Sequence, residues 1–112
     1  MSQIKNRLRQ ILLDAVDEGL IILGESSRKA IYFHIQNITA LKKEDIPSNL
    51  EKFAWGLEKI FGEGAKVIER AIIKSLCHKL GVNYEGNENG TFTFADSVNR
   101  IIDMANLKRK GI

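Results

Sequence analysis

Residues 48–81, SNLEKFAWGLEKIFGEGAKVIERAIIKSLCHKLG, carry the clearest helical pattern in the chain. Leu50, Phe53, Ala54, Leu57, Ile60 and Phe61 recur at spacings of three and four, which gathers them on one helical face. Ser48 stands three residues before Glu51, the spacing at which a hydroxyl and a carboxylate satisfy free backbone N–H groups at a helix start. Gly62 and Gly64 bracket Glu63 and mark a tight turn. A second helical period then runs from Ala65 to Leu80, with Val67, Ile68, Ala71, Ile72, Ser75, Leu76 and Leu80 expected on its buried side and Gly81 as its stop. Two amphipathic helices joined by a short turn bury their stripes against further helices.

Upstream, Ile4, Leu8, Ile11, Leu12 and Ala15 predict a helix over about residues 3–18, ended or loosened by Gly19. The run Leu20–Leu23 is too short to decide between helix and extended connector. Ser26 or Ser27 is a candidate cap for a second helix carrying Ala30, Ile31, His34, Ile35 and Ile38. Thr39 to Pro47 reads as a connector. Downstream, Thr91-Phe92-Thr93-Phe94 alternates as a strand does, and Asn89-Gly90 signals a turn. A three-residue loop, Glu88 to Gly90, would set Tyr84 opposite Phe94. Ala95, Val98, Ile101, Ile102 and Ala105 form a fifth helical face, with Asp96 as its candidate cap. The expected architecture is mainly α: a compact five-helix single domain over residues 1–112, with a small antiparallel β-hairpin at about 82–94 between helices four and five.

Composition bounds the rest. The chain has 112 residues, 44% of them apolar, and seventeen Lys/Arg against fourteen Asp/Glu give a net charge of only +3. That size suits one domain, and the apolar fraction argues against wholesale disorder. One cysteine excludes an internal disulfide framework. No stretch approaches a membrane span, and the first residues lack the long apolar centre of a signal peptide, so a cytoplasmic location is the expectation.

Leu23-Gly24-Glu25-Ser26-Ser27 with Ala30-Ile31-Tyr32-Phe33-His34, followed by Phe61-Gly62-Glu63-Gly64-Ala65 and a helix ending Lys79-Leu80-Gly81, resembles a family of small prokaryotic, chiefly archaeal, proteins without an assigned function. The resemblance spans about residues 20–95. It implies a standalone small domain and carries over no catalytic residue.

Two surfaces stand out as candidates. Trp55 sits roughly 160° around its helix from Leu57, between Lys52 and Lys59. A large amphipathic ring outside the core face suits an interface with another protein or a second copy of the chain, unless a neighbouring segment folds over it. Lys66, Arg70, Lys74 and His78 recur every four residues and form a drifting cationic stripe. With Lys108, Arg109 and Lys110 at the end of the fifth helix, it could contact phosphates, and a helix followed by a hairpin has the order of a winged helix. The acidic hairpin tip opposes that reading, and a solvated face has the same pattern. Tyr32 and Phe33 widen the apolar arc of the second helix, as a central helix would require.

Catalytic and metal chemistry find little support. Cys77, His34 and His78 lack metal-ligand or nucleophile spacing, and a buried, hydrogen-bonded side chain is the ordinary role expected of His34. Asp14, Asp17 and Glu18 lie near one helix end without a loop to add oxygens for a cation. Gly62-Glu63-Gly64 lacks the Lys-Ser/Thr ending of a phosphate loop. The leading expectation is a non-enzymatic interaction or assembly module, a homodimer among its forms, with no cofactor, no small-molecule ligand and no membrane partner. Nucleic-acid binding is the alternative, and an enzyme with no recognisable catalytic motif is the third reading.

Overall fold

The structure is a computed structural model and describes residues 2–84 and 93–109, with side chains described for 6–84 and 93–108. Five α-helices occur among these residues: α1 (Ser2–Ile21), α2 (Glu25–Thr39), α3 (Leu50–Phe61), α4 (Ala65–Leu80) and α5 (Phe94–Arg109). A 3₁₀ helix, Lys43–Ser48, joins α2 to α3, and a 3₁₀ turn, Gly62–Gly64, joins α3 to α4. The described residues contain no strand.

The core is helix against helix. Leu12, Ala15, Val16 and Leu20 of α1 meet Ile68, Ile72 and Leu76 of α4, while Phe53 and Leu57 of α3 fill the centre. Fully burying a side chain such as Phe53 contributes roughly 2–3 kcal/mol. Arg9 of α1 donates to Ser48 Oγ and to the Glu44 carbonyl, both at 2.6 Å, so α3 starts beside the first half of α1. The short α3–α4 turn then sends α4 back antiparallel to α1. Within that pair, a Cβ built on Gly19 would lie 2.4 Å from Ile72 Cγ1 and 3.0 Å from the Ile72 backbone nitrogen.

The structure corrects several expectations. Gly19 does not stop α1, which continues to Ile21; the missing side chain permits the approach of α4 instead. Ser26 and Ser27 lie inside α2, whose N-cap is Gly24. Ser48 caps nothing: it ends the 3₁₀ helix and accepts the bond from Arg9, while Asn49 precedes α3 and turns its amide back to the Asp45 carbonyl at 3.0 Å. Val67 is exposed rather than buried. Phe33 is 64% exposed, so α2 is no central helix, and His34 lies exposed beside the Phe33 ring rather than buried.

The hairpin is overturned as well. Residues 85–92 lie outside the described residues, but Val82–Tyr84 form no strand and Phe94 opens α5. Two Thr-Phe repeats give a weak alternation, whereas Phe94, Val98, Ile101 and Ala105 keep helical spacing. Phe94 is buried with its ring centroid 6.2 Å from that of Phe53. Thr93, not Asp96, caps the helix, its hydroxyl accepting from the Asp96 N–H at 3.1 Å. Tyr84 turns towards α5 and donates to the fully buried Ser97 hydroxyl at 3.3 Å, which satisfies the one buried polar side chain of the described core.

Gly19→Ala is expected to lower unfolding free energy by about 2–3 kcal/mol, an overpacking penalty against a neighbouring backbone. Gly64→Ala, whose added carbon would meet only Phe61 Cβ at 3.7 Å, is expected to be neutral or slightly stabilising. Urea denaturation of both variants checks the contrast.

Candidate functional site

Trp55 occupies the outward face of α3 and is 49% exposed, so no other described element covers it fully. Lys59, one turn on, places Nζ 5.1 Å from the ring centroid, a cation held over the electron-rich face. Lys52 is exposed on the same flank, and Glu51 and Glu58 are exposed on the other. Helical geometry puts each of the four at i±3 or i±4 from Trp55. The ring therefore divides an acidic edge from a basic one.

The stripe on α4 is exposed throughout: Lys66, Arg70, Lys74 and His78 all face away from Ile72. Among the described residues, Lys66, Arg70 and Lys74 take part in no ion pair; the cations that do are Arg28, Lys43 and Lys79. The second cluster does not join them as expected. Lys108 donates to the Gly81 carbonyl at 2.7 Å, neutralising the end of α4, where free carbonyls and the helix dipole favour a cation. The Arg109 side chain and Lys110 lie outside the described residues. With Phe94 inside a helix, the winged-helix likeness loses its wing.

The densest polar group lies where α1, α2 and the 3₁₀ connector meet, and sequence spacing did not reveal it. Asp17 Oδ1 accepts from the Tyr32 hydroxyl at 2.5 Å and pairs with Arg28 Nη1 at 3.2 Å; Oδ2 accepts from Lys43 Nζ at 3.0 Å. Lys43 also lies 5.2 Å from the Tyr32 ring centroid, and Arg28 pairs onward with Glu25. Burial pushes the Asp17 carboxyl up, but the hydrogen bonds from Tyr32 and Lys43 and the nearby positive charges outweigh it and hold the group below the usual carboxylate range. Burial and the Asp17 carboxylate drive the Tyr32 hydroxyl well above its ordinary value. The only sequence signal was the position of Asp17 on α1; its partners come from segments 11 to 26 residues away.

The three acids near the end of α1 diverge. Asp14 accepts from Gln10 at 2.9 Å, while Glu18 reaches α4, bonding Ser75 and, at 2.8 Å, Lys79. Bonds from Lys79 and Ser75 hold Glu18 below its ordinary value despite some burial. No group of three metal-ligating side chains forms among the described residues. Cys77 is partly buried, and burial pushes its thiol up. A cleft of about 450 Å³ lies between residues 47–52 and Ala95 and Asn99, at the start of α3. No protein-family model matches the chain, and no curated protein or solved structure matches it.

Asp17→Asn is expected to cost about 1–3 kcal/mol of stability at neutral pH, because three donors lose a charged acceptor. The depressed carboxyl contributes stability above its unfolded value and loses it as pH falls through its folded value, so the variant and the parent converge in acid. Glu69 has the opposite sign: burial, then the charge of Glu58, raise its carboxyl, against Lys66. Glu69→Gln is expected to match or exceed the parent at neutral pH, with the parent catching up as pH falls. Denaturant melts across neutral and acid pH separate the two trends.

Proposed function

We propose that the chain is a small non-enzymatic interaction and assembly module that self-associates through the outer face of α3. The half-exposed Trp55 carries this reading. An aromatic ring outside the core, with a lysine over its face, has the character of a residue that anchors interfaces. The densest polar group, around Asp17, is occupied in joining three segments and supports a structural rather than a chemical role.

The charge arrangement around Trp55 favours a second copy as partner. A two-fold axis running along α3 would set the Glu51/Glu58 edge of one copy against the Lys52/Lys59 edge of the other, while the two Trp55 rings meet between them. An axis across α3 would instead bring like edges together. Parallel pairing is therefore the self-complementary arrangement, and rim charges of this kind set partner choice more than affinity.

Sedimentation equilibrium over a range of concentrations tests it. The parent chain is expected to approach the dimer mass. Trp55→Ala should shift the equilibrium towards monomer by at least tenfold, about 1.4 kcal/mol. Lys59→Glu should weaken association, and the double exchange Glu58→Lys/Lys59→Glu should restore much of it. A parent chain that stays monomeric, or a folded Trp55→Ala variant with unchanged mass, overturns the reading.

A further inference from the structure

We propose that the turn between α1 and α2, together with the first half of α4, is a contact surface for an anionic lipid bilayer. Ile21, Ile22 and Leu23 are consecutive and all exposed, Ile22 by 57%. Leu20 before them is fully buried, so the apolar run splits there, with one side chain in the core and three outside it. The backbone reverses at Gly24, φ 99°, where a Cβ would meet nothing within 4 Å.

α4 begins at this same end. Glu18 bonds Ser75 and Lys79, and Gly19 abuts Ile72, which fixes the register of the antiparallel pair. Four residues after Glu18, just past the end of α1, is Ile22; one turn back from Ser75 on α4 is Ala71, and one more is Val67. Val67 is 59% exposed, so the outer face of α4 carries an aliphatic side chain among its cations. Lys66 and Arg70 flank Val67, Lys74 follows one turn later, and none of the three enters an ion pair among the described residues. The acids at this end are Glu25, which is held by Arg28, Glu63, and the partly buried Glu69, which stands between Lys66 and Arg70 and offsets part of their charge.

Cations alone would suit any polyanion, and the aliphatic residues beside them decide between occupants. Phosphate contacts along a nucleic acid gain nothing from covering Ile22 and Val67. A rigid protein partner would need a cavity matched to a protruding turn. A bilayer is fluid: protruding aliphatic side chains enter the acyl boundary while neighbouring lysines and arginines meet anionic headgroups. Contact at the surface requires no spanning helix, and none of the described helices is long and apolar enough to be one.

Co-sedimentation with vesicles tests the proposal, using phosphatidylcholine and phosphatidylserine in roughly equal amounts against phosphatidylcholine alone. The chain is expected to sediment with the mixed vesicles, to stay in the supernatant with the neutral ones, and to be released by salt. Ile22→Asp should weaken partitioning at least tenfold, and the pair Lys66→Ala/Arg70→Ala about tenfold or more. Trp55→Ala, which removes self-association, should lower vesicle binding only by the loss of the second contact, and what remains should still fall about tenfold with Ile22→Asp, which keeps this surface distinguishable from the α3 face. Leu23→Trp supplies a second readout independent of the Asp variant: its emission should shift to the blue with mixed vesicles only. Failure of the parent chain to sediment at low salt overturns the proposal. So does vesicle binding untouched by Ile22→Asp in a folded protein, which would mean headgroup attraction without insertion. Binding to duplex DNA but not to vesicles, lost with Lys66 and Arg70 and indifferent to Ile22, would also overturn it.

Discussion

The close approach of α1 and α4 at Gly19 is the constraint on which the rest of the molecule depends. Any side chain there would meet the Ile72 backbone, so the axial distance of this pair is set by the absence of one carbon. Ala15, fully buried one turn earlier, continues the small-residue surface. With the register fixed, Glu18 comes opposite Ser75 and Lys79, and Leu12, Val16 and Leu20 can interlock with Ile68, Ile72 and Leu76. The same register sets which α1 residues face outward beside the α4 stripe.

Much of the positive charge is structural once the fold is assembled. Arg9 bridges α1 to the connector, Arg28 and Lys43 converge on Asp17, Lys79 reaches Glu18, and Lys108 closes the end of α4. Each contact joins two segments distant in the chain, and each is individually modest where solvent reaches it. Set apart from these contacts are Lys52 and Lys59 beside Trp55 on α3, and Lys66, Arg70 and Lys74 along the outer face of α4. The net excess of +3 is thus a poor description of either surface, because the charge at both is concentrated locally.

How much of this could be read from the chain follows from the range of each interaction. The α3 and α4 periods were legible because a buried stripe repeats locally and because Gly62, Gly64 and Gly81 punctuate it. The outward placement of Trp55 and of Lys66, Arg70, Lys74 and His78 came from the same arithmetic. Gly19 was misread because a glycine that breaks a helix and a glycine that admits a neighbouring helix look alike until the neighbour is known. Phe94 was misread because two alternations resemble a strand when the buried partner, Phe53, is forty-one residues away. Ser48 had cap spacing, yet an arginine from α1 claimed its hydroxyl. The Asp17 group was invisible for the same reason: no local spacing encodes a contact among three separate elements.

The two proposed surfaces also constrain each other through symmetry. α3 starts beside the first half of α1, and α4, which follows it, packs Ile72 against Gly19 near the end that carries the α1–α2 turn. An axis along α3 therefore leaves the aliphatic turns of both copies at one end of the dimer, facing the same way. A bilayer could then hold both at once, and the second contact would form at the high effective concentration that a shared scaffold provides. An axis across α3 would send the turns to opposite ends and remove that gain. The charge edges around Trp55 and the proposed bilayer contact are thus compatible with one arrangement: acid facing base across the pair, and two weak insertions acting on a single plane.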